Sequence, residues 1–136
     1  MIPEPSGPAS RPWWVNVLLA FCAFMTFAYT PWDLFWKPVA QDQEVWFGFV
    51  LRGWAAKATE PLHWAIYGAF TYGFWKMRPW MRFWGTVYFA QVAIAMVVWG
   101  LLDERGSLVG SVVIGIVFGW LTLKYWRAGE IFEASR

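Results

Sequence analysis

The chain has 136 residues, of which 59% are hydrophobic, 22% aromatic and only 15% charged, with a formal net charge of +2. A small soluble domain has a high ratio of surface to volume and needs more polar surface than this, so the composition argues against a soluble globule and for lipid. The basic residues are scattered between apolar stretches and not gathered on one face, which argues against a nucleic-acid partner.

In chain order, residues 1–12 hold Pro3, Pro5, Pro8 and Pro12 with Gly7 and two serines, and read as a flexible cytoplasmic lead. Apolar stretches follow at 13–29, 61–76, 83–102 and 108–126. At about 1.5 Å rise per residue, the last two cross a hydrocarbon core roughly 30 Å thick, and the first two lean on aromatic residues at their ends. The expected fold is an all-α integral membrane protein with four transmembrane helices filling residues 13–127 and a cytoplasmic tail at 128–136. The first stretch is not read as a signal peptide, because Trp13 and Trp14 open it and Tyr29-Thr30-Pro31-Trp32 is a poor cleavage site. The single cysteine, Cys22, lies in mid-span and reads as a small buried hydrophobe.

The outer segment 31–60 is the longest link. Pro31 and Pro38 bracket a turn-like piece, Asp33–Lys37, with aromatic anchors. Asp42-Gln43-Glu44 then predicts the start of a short helix over 45–57, with early acids at its N-terminus and Lys57 at the other end. It is too short to span and contains Arg52, so an interfacial or re-entrant placement is expected. Thr59-Glu60-Pro61 predicts the start of the second span, a capping hydroxyl followed by proline in the first turn.

Charge sets the expected orientation. The link 76–82 carries Lys76, Arg78 and Arg82 without an acid, whereas 103–106 carries Asp103, Glu104 and Arg105. By the positive-inside rule both termini and the 76–82 link are cytoplasmic, and the expected location is a bacterial cytoplasmic (inner) membrane. The 13 tryptophans sort to the same boundaries, as an aromatic belt does, with Trp120 alone well inside a span.

Ser107, Ser111, Gly115 and Gly119 recur every four residues on the last span, and Ala65, Ala69 and Gly73 do so on the second. Such small-residue stripes let backbones approach in lipid, either within the chain or against another membrane subunit or a second copy. Gln91 is the polar residue of the third span, with Tyr67, Tyr72 or Asn16 as expected partners.

Asp33, Asp42, Glu44, Arg52, Lys57, Glu60 and His63 form the one polar layer where chemistry has room. Glu60 is expected to pair with Arg52 or Lys57, and His63 to hydrogen-bond at the headgroup level. Glu60-x-x-His63 is half of a di-iron motif, but the chain has no second histidine, so spacing assigns no metal site. No cofactor fingerprint is present, and the cofactor is left unassigned. Two functional readings follow. The first is a non-catalytic accessory or assembly subunit of a larger inner-membrane complex. The second is a small membrane enzyme or binding protein for a lipid-like ligand, with His63 and Glu60 as its acid–base candidates.

Overall fold

A computed structural model describes residues 10–135; the lead expected at 1–12 therefore falls mostly outside the described residues. Helix α1, Trp13–Phe24, runs without a break through a π-helical turn, Met25–Tyr29, into α2, Thr30–Phe35. Among the described residues, the resulting Trp13–Phe35 helix joins Met81–Leu102 and Leu108–Ala134 as the three helices long and apolar enough to cross a membrane. The chain is an integral membrane protein. Helix α3, Trp54–Trp75, is 22 residues long but less apolar, and it lies between the first and second of these in sequence. The remaining elements are a 3-10 turn at Val39–Gln41, strands β1 (Gln43–Trp46) and β2 (Phe49–Arg52), α4 (Met81–Leu102), α5 (Leu108–Ala128) and α6 (Glu130–Ala134).

The piece expected as a turn after Pro31 is the end of the first long helix. Proline lacks an N–H and its ring crowds the preceding turn. The π turn absorbs this: the Thr30 N–H reaches the Met25 carbonyl, five residues back. In that register the Thr26 carbonyl faces residue 31, which has no N–H to offer. The Trp64 indole of α3 donates to it at 2.8 Å, so a helix irregularity becomes an interhelical bond.

Of the helix expected over 45–57, only 54–57 are helical, as the first turn of α3. Gln43–Trp46 and Phe49–Arg52 pair antiparallel, with Val45 opposite Val50. Phe47 and Gly48 both take positive φ, 52° and 91°, as a tight two-residue hairpin loop requires. β-Branched and aromatic residues favour the pleated strand, and Gly48 supplies the turn. A Cβ on Gly48 would also overlap Val98 of α4, so the hairpin lies flush on that helix. The second helix likewise begins earlier than expected. Gly53, at φ 59°, turns the chain, Trp54-Ala55-Ala56-Lys57 starts α3, and Pro61 sits exposed inside the helix.

The bundle is two helix pairs. In the larger interface, α4 against α5, a Cβ on Gly100 would overlap Ser111, and one on Gly115 would lie 2.5 Å from Val97 Cγ2. Ser107 caps α5, whereas a Cβ on Gly119 would meet nothing within 4 Å. Ala65 and Ala69 are exposed, and Gly73 is buried against Met81 and Trp80. In the second pair, the first long helix and α3 meet at Thr26, in the π turn, and Thr71, whose hydroxyls lie 3.2 Å apart. Gln91 takes none of its expected partners: Tyr67 bonds Tyr88, Asn16 accepts from Arg11, and Tyr72 is exposed.

Residues 130–134, expected in a tail, are part of the body. Phe132 is fully buried and meets Trp14 and Tyr125 edge-on and tilted, and Arg82 pairs with Glu133 at 2.7 Å. These residues share one end of the bundle with the 76–82 link, while the hairpin and the 103–107 link share the other.

Two glycines give opposite expectations in thermal unfolding of the purified protein in detergent. Gly48→Ala combines positive φ with overlap at Val98 and is expected to destabilise by about 2–4 kcal/mol. Gly119→Ala meets open space in a helix interior and is expected to stabilise by about 0.5–1 kcal/mol.

Candidate functional site

The irregular helix end, the 3-10 turn, the hairpin and the first turns of α3 converge on one group of ionisable side chains. Asp33 and Asp42 are 3% and 1% exposed, and Glu60 is fully buried. Lys37 lies 2.7 Å from Asp33 Oδ1 and 3.4 Å from Asp42 Oδ1. Lys57 lies 3.2 Å from Asp42 Oδ2 and 3.7 Å from Glu60 Oε2, and it donates to the Asp33 backbone carbonyl. Local geometry explains the convergence. Asp33 is on the buried side of α2 four residues before Lys37, and the Gly53 N–H holds the Asp42 carbonyl at 3.1 Å, closing the hairpin over the cluster.

Glu44 of β1 extends the group to His63. Its carboxylate bonds His63 Nδ1, and oxygens of Asp33, Glu44 and Glu60 all fall within 4.8 Å of one another. The His63 ring stacks on Trp46 at 3.9 Å between centroids and faces Tyr67 at 6.0 Å. Trp46 Nε1 is buried beside it without an acceptor among the described residues.

Of the residues expected in the outer layer, six are brought together. Arg52 is not: it lies exposed at the end of β2, beside Asp103. Glu60 pairs with Lys57, and His63 pairs with Glu44 and not with Glu60. Lys37 completes the cluster; the sequence reading, which places it in a turn, misses this, and its i,i+4 spacing from Asp33 is the signal that points to it.

The electrostatics are unbalanced toward negative charge. Burial and the neighbouring Asp42 and Asp33 carboxylates push the Glu60 carboxyl up to about 8. Burial opposes charge on Asp42 too, but its contacts with Glu60 and Lys57 hold its pKa below the usual carboxylate value. For Lys37, burial works against the ammonium, and the Asp33 hydrogen bond and both aspartates outweigh it, so its pKa is raised. The lysines are close enough to pair, yet Asp33 Oδ1, both Asp42 carboxylate oxygens and both Glu60 oxygens have no well-aligned hydrogen-bond donor among the described residues.

Beneath His63, an apolar cavity of about 290 Å³ opens at the seam between the two helix pairs. Its walls include Phe21 and Cys22 of α1, Phe70 and Phe74 of α3, Phe89 and Val92 of α4, and Phe118 of α5. Tyr67 and Tyr88 supply its polar groups, with their hydroxyls 2.8 Å apart. Tyr67 therefore links the cavity to the His63–Glu44 pair.

Comparison with known protein families, with characterised proteins and with solved structures finds no match to this chain.

Lys57→Met removes the cation shared by Asp42, Glu60 and the Asp33 carbonyl, leaving buried charge uncompensated. It is expected to destabilise by about 3–5 kcal/mol. Arg52→Met, at an exposed residue outside the cluster, is expected to change stability by less than about 1 kcal/mol. Chemical denaturation in a fixed detergent compares the two.

Proposed function

We propose that this membrane protein binds a small apolar molecule with a neutral carbonyl head, of the kind an isoprenoid quinone presents, at the seam between its helix pairs. The observation that carries this reading is the 290 Å³ aromatic cavity with the Tyr67–Tyr88 hydroxyl pair in its wall. Ligand sites in helical proteins commonly combine a mostly apolar cavity with a few convergent polar groups. Tyrosine hydroxyls donate to a carbonyl oxygen. The carboxylate-rich cluster behind Tyr67 repels an anionic head, which favours a neutral carbonyl over a fatty-acid carboxylate. In this reading α3 accompanies the three long apolar helices across the bilayer with its residues 61–75. The hairpin and the 103–107 link lie on the side opposite the cytoplasm, as the basic 76–82 link supports.

A second reading, an accessory subunit of a larger membrane complex, draws support from the outward face of α5. Val109, Ile116, Trp120 and Leu123 are exposed there, and Gly119 leaves a notch between them. Lipid contact accounts for the same face, so this reading stands second.

The test is retention of a quinone by the full chain in lipid nanodiscs, read by native mass spectrometry with a short-chain naphthoquinone as probe. Cys22→Phe fills the cavity and is expected to abolish binding, while Cys22→Ser retains it. Tyr88→Phe removes one donor and is expected to weaken binding by about fivefold, the equivalent of one ordinary hydrogen bond. Equal retention by wild type and Cys22→Phe, or preference for oleate over the quinone, would sink the proposal.

A further inference from the structure

We infer that the oxygens of Asp33, Glu44 and Glu60 form a binding site for one hard divalent cation, with Ca²⁺ favoured by size. Three segments distant in sequence deliver these carboxylates: the end of α2, strand β1 and the second turn of α3. Their oxygens all lie within 4.8 Å of one another. An ion central to such a triangle sits within about 2.8 Å of each corner, so a slight contraction reaches the roughly 2.3–2.6 Å of Ca²⁺–oxygen bonds. The roughly 2.0–2.1 Å demanded by Mg²⁺ is farther away.

Acidic clusters alone are common, and the second observation is Glu60. It is fully buried, and neither carboxylate oxygen has a hydrogen-bond donor among the described residues. Buried polar atoms are nearly always satisfied, and Lys57, 3.7 Å from Glu60 Oε2, leaves Oε1 with no partner among the described residues, so a carboxylate facing two others points to a further positive partner. Carboxyl groups also outnumber ammonium groups here, four (Asp33, Asp42, Glu44 and Glu60) against two (Lys37 and Lys57).

The lysines do not already fill the position. Lys37 pairs with Asp33 and Asp42, and Lys57 leans on Asp42 and the Asp33 carbonyl and is 3.7 Å from Glu60. Neither makes an ion pair with Glu44, whose partner is the His63 ring. The side of the cluster that neither ammonium reaches is thus the Glu44 side. There, all-oxygen donors select a hard cation over zinc or copper, and His63 orients Glu44 from behind. The Ca²⁺ site is independent of the cavity and does not require the quinone reading.

The test uses the full chain in detergent, stripped with chelator and then titrated with Ca²⁺ by calorimetry and with Mn²⁺ by electron paramagnetic resonance. Saturable binding of about one ion per chain is expected, weakened about tenfold or more by Glu60→Gln and by Glu44→Gln. Asp103→Asn, in the opposite link of the same end, is expected to bind as wild type does. Circular dichroism verifies folding of each variant. Should Glu60→Gln lose its helical signal, Glu44→Gln and the wild-type Mn²⁺ spectrum decide. Absence of saturable binding to wild type at millimolar metal overturns the inference, as does undiminished binding in folded Glu44→Gln. In either case protons alone balance the cluster.

Discussion

The ammonium of Lys57 is the point on which the outer segment between the first long helix and α3 depends. It reaches back from the first turn of α3 to the Asp33 backbone carbonyl at the end of the first long helix, and it pairs with Asp42 at the foot of the hairpin. One side chain thus joins three segments distant in sequence. A charge placed so deep is stable only while its partners surround it, because desolvating an ion offsets much of the attraction it gains. Lys37 performs the same service one turn further out, bridging Asp33 and Asp42. The surplus of carboxylates over lysines then makes the site hungry for positive charge, and Glu60 answers it in part with a raised pKa.

Proline shapes the segment as much as charge does. In lipid every backbone polar group needs a partner, and Pro31 removes one. The π turn and the Trp64 indole bond repair that loss, and together they fix how α3 lies on α1. Pro61 sits where the exposed side of α3 tolerates it, one residue after the buried Glu60. The result is a helix pair anchored by hydroxyls and an indole in place of a long small-residue seam.

The other pair, α4 with α5, is close because Gly100, Ser111 and Gly115 let the backbones approach. The two pairs touch each other chiefly through large rings: Phe70 against Tyr88 at 5.5 Å, and Trp14 against Tyr125 at 6.0 Å. Rings meeting edge-on do not fill space as densely as interdigitated aliphatic chains, and the cavity lies along this seam. The polar cluster and the cavity are therefore neighbours for an architectural reason. The hairpin closes the end of the same seam, carrying Trp46 and Glu44 onto His63.

Membrane character was readable without coordinates, because hydrophobic runs of spanning length with so few charges have no other stable environment. The polar layer was readable as well: six of its seven members meet, since residues flanking the same spans are carried to the same end of the bundle. What sequence could not decide was secondary structure in the outer segment. There, acids, aromatics and β-branched residues satisfy helix and strand rules alike, and Gly48 resolves the choice only by fitting against Val98. Pairing was legible only in part: Glu60 takes Lys57, one of the two partners expected of it, whereas His63, on the same helix face, takes Glu44 from the hairpin. Spacing along the chain reports which side chains share a face. Which of them meet across elements depends on a turn at Gly53 and a hairpin register set by long-range packing, and only the tertiary structure fixes those.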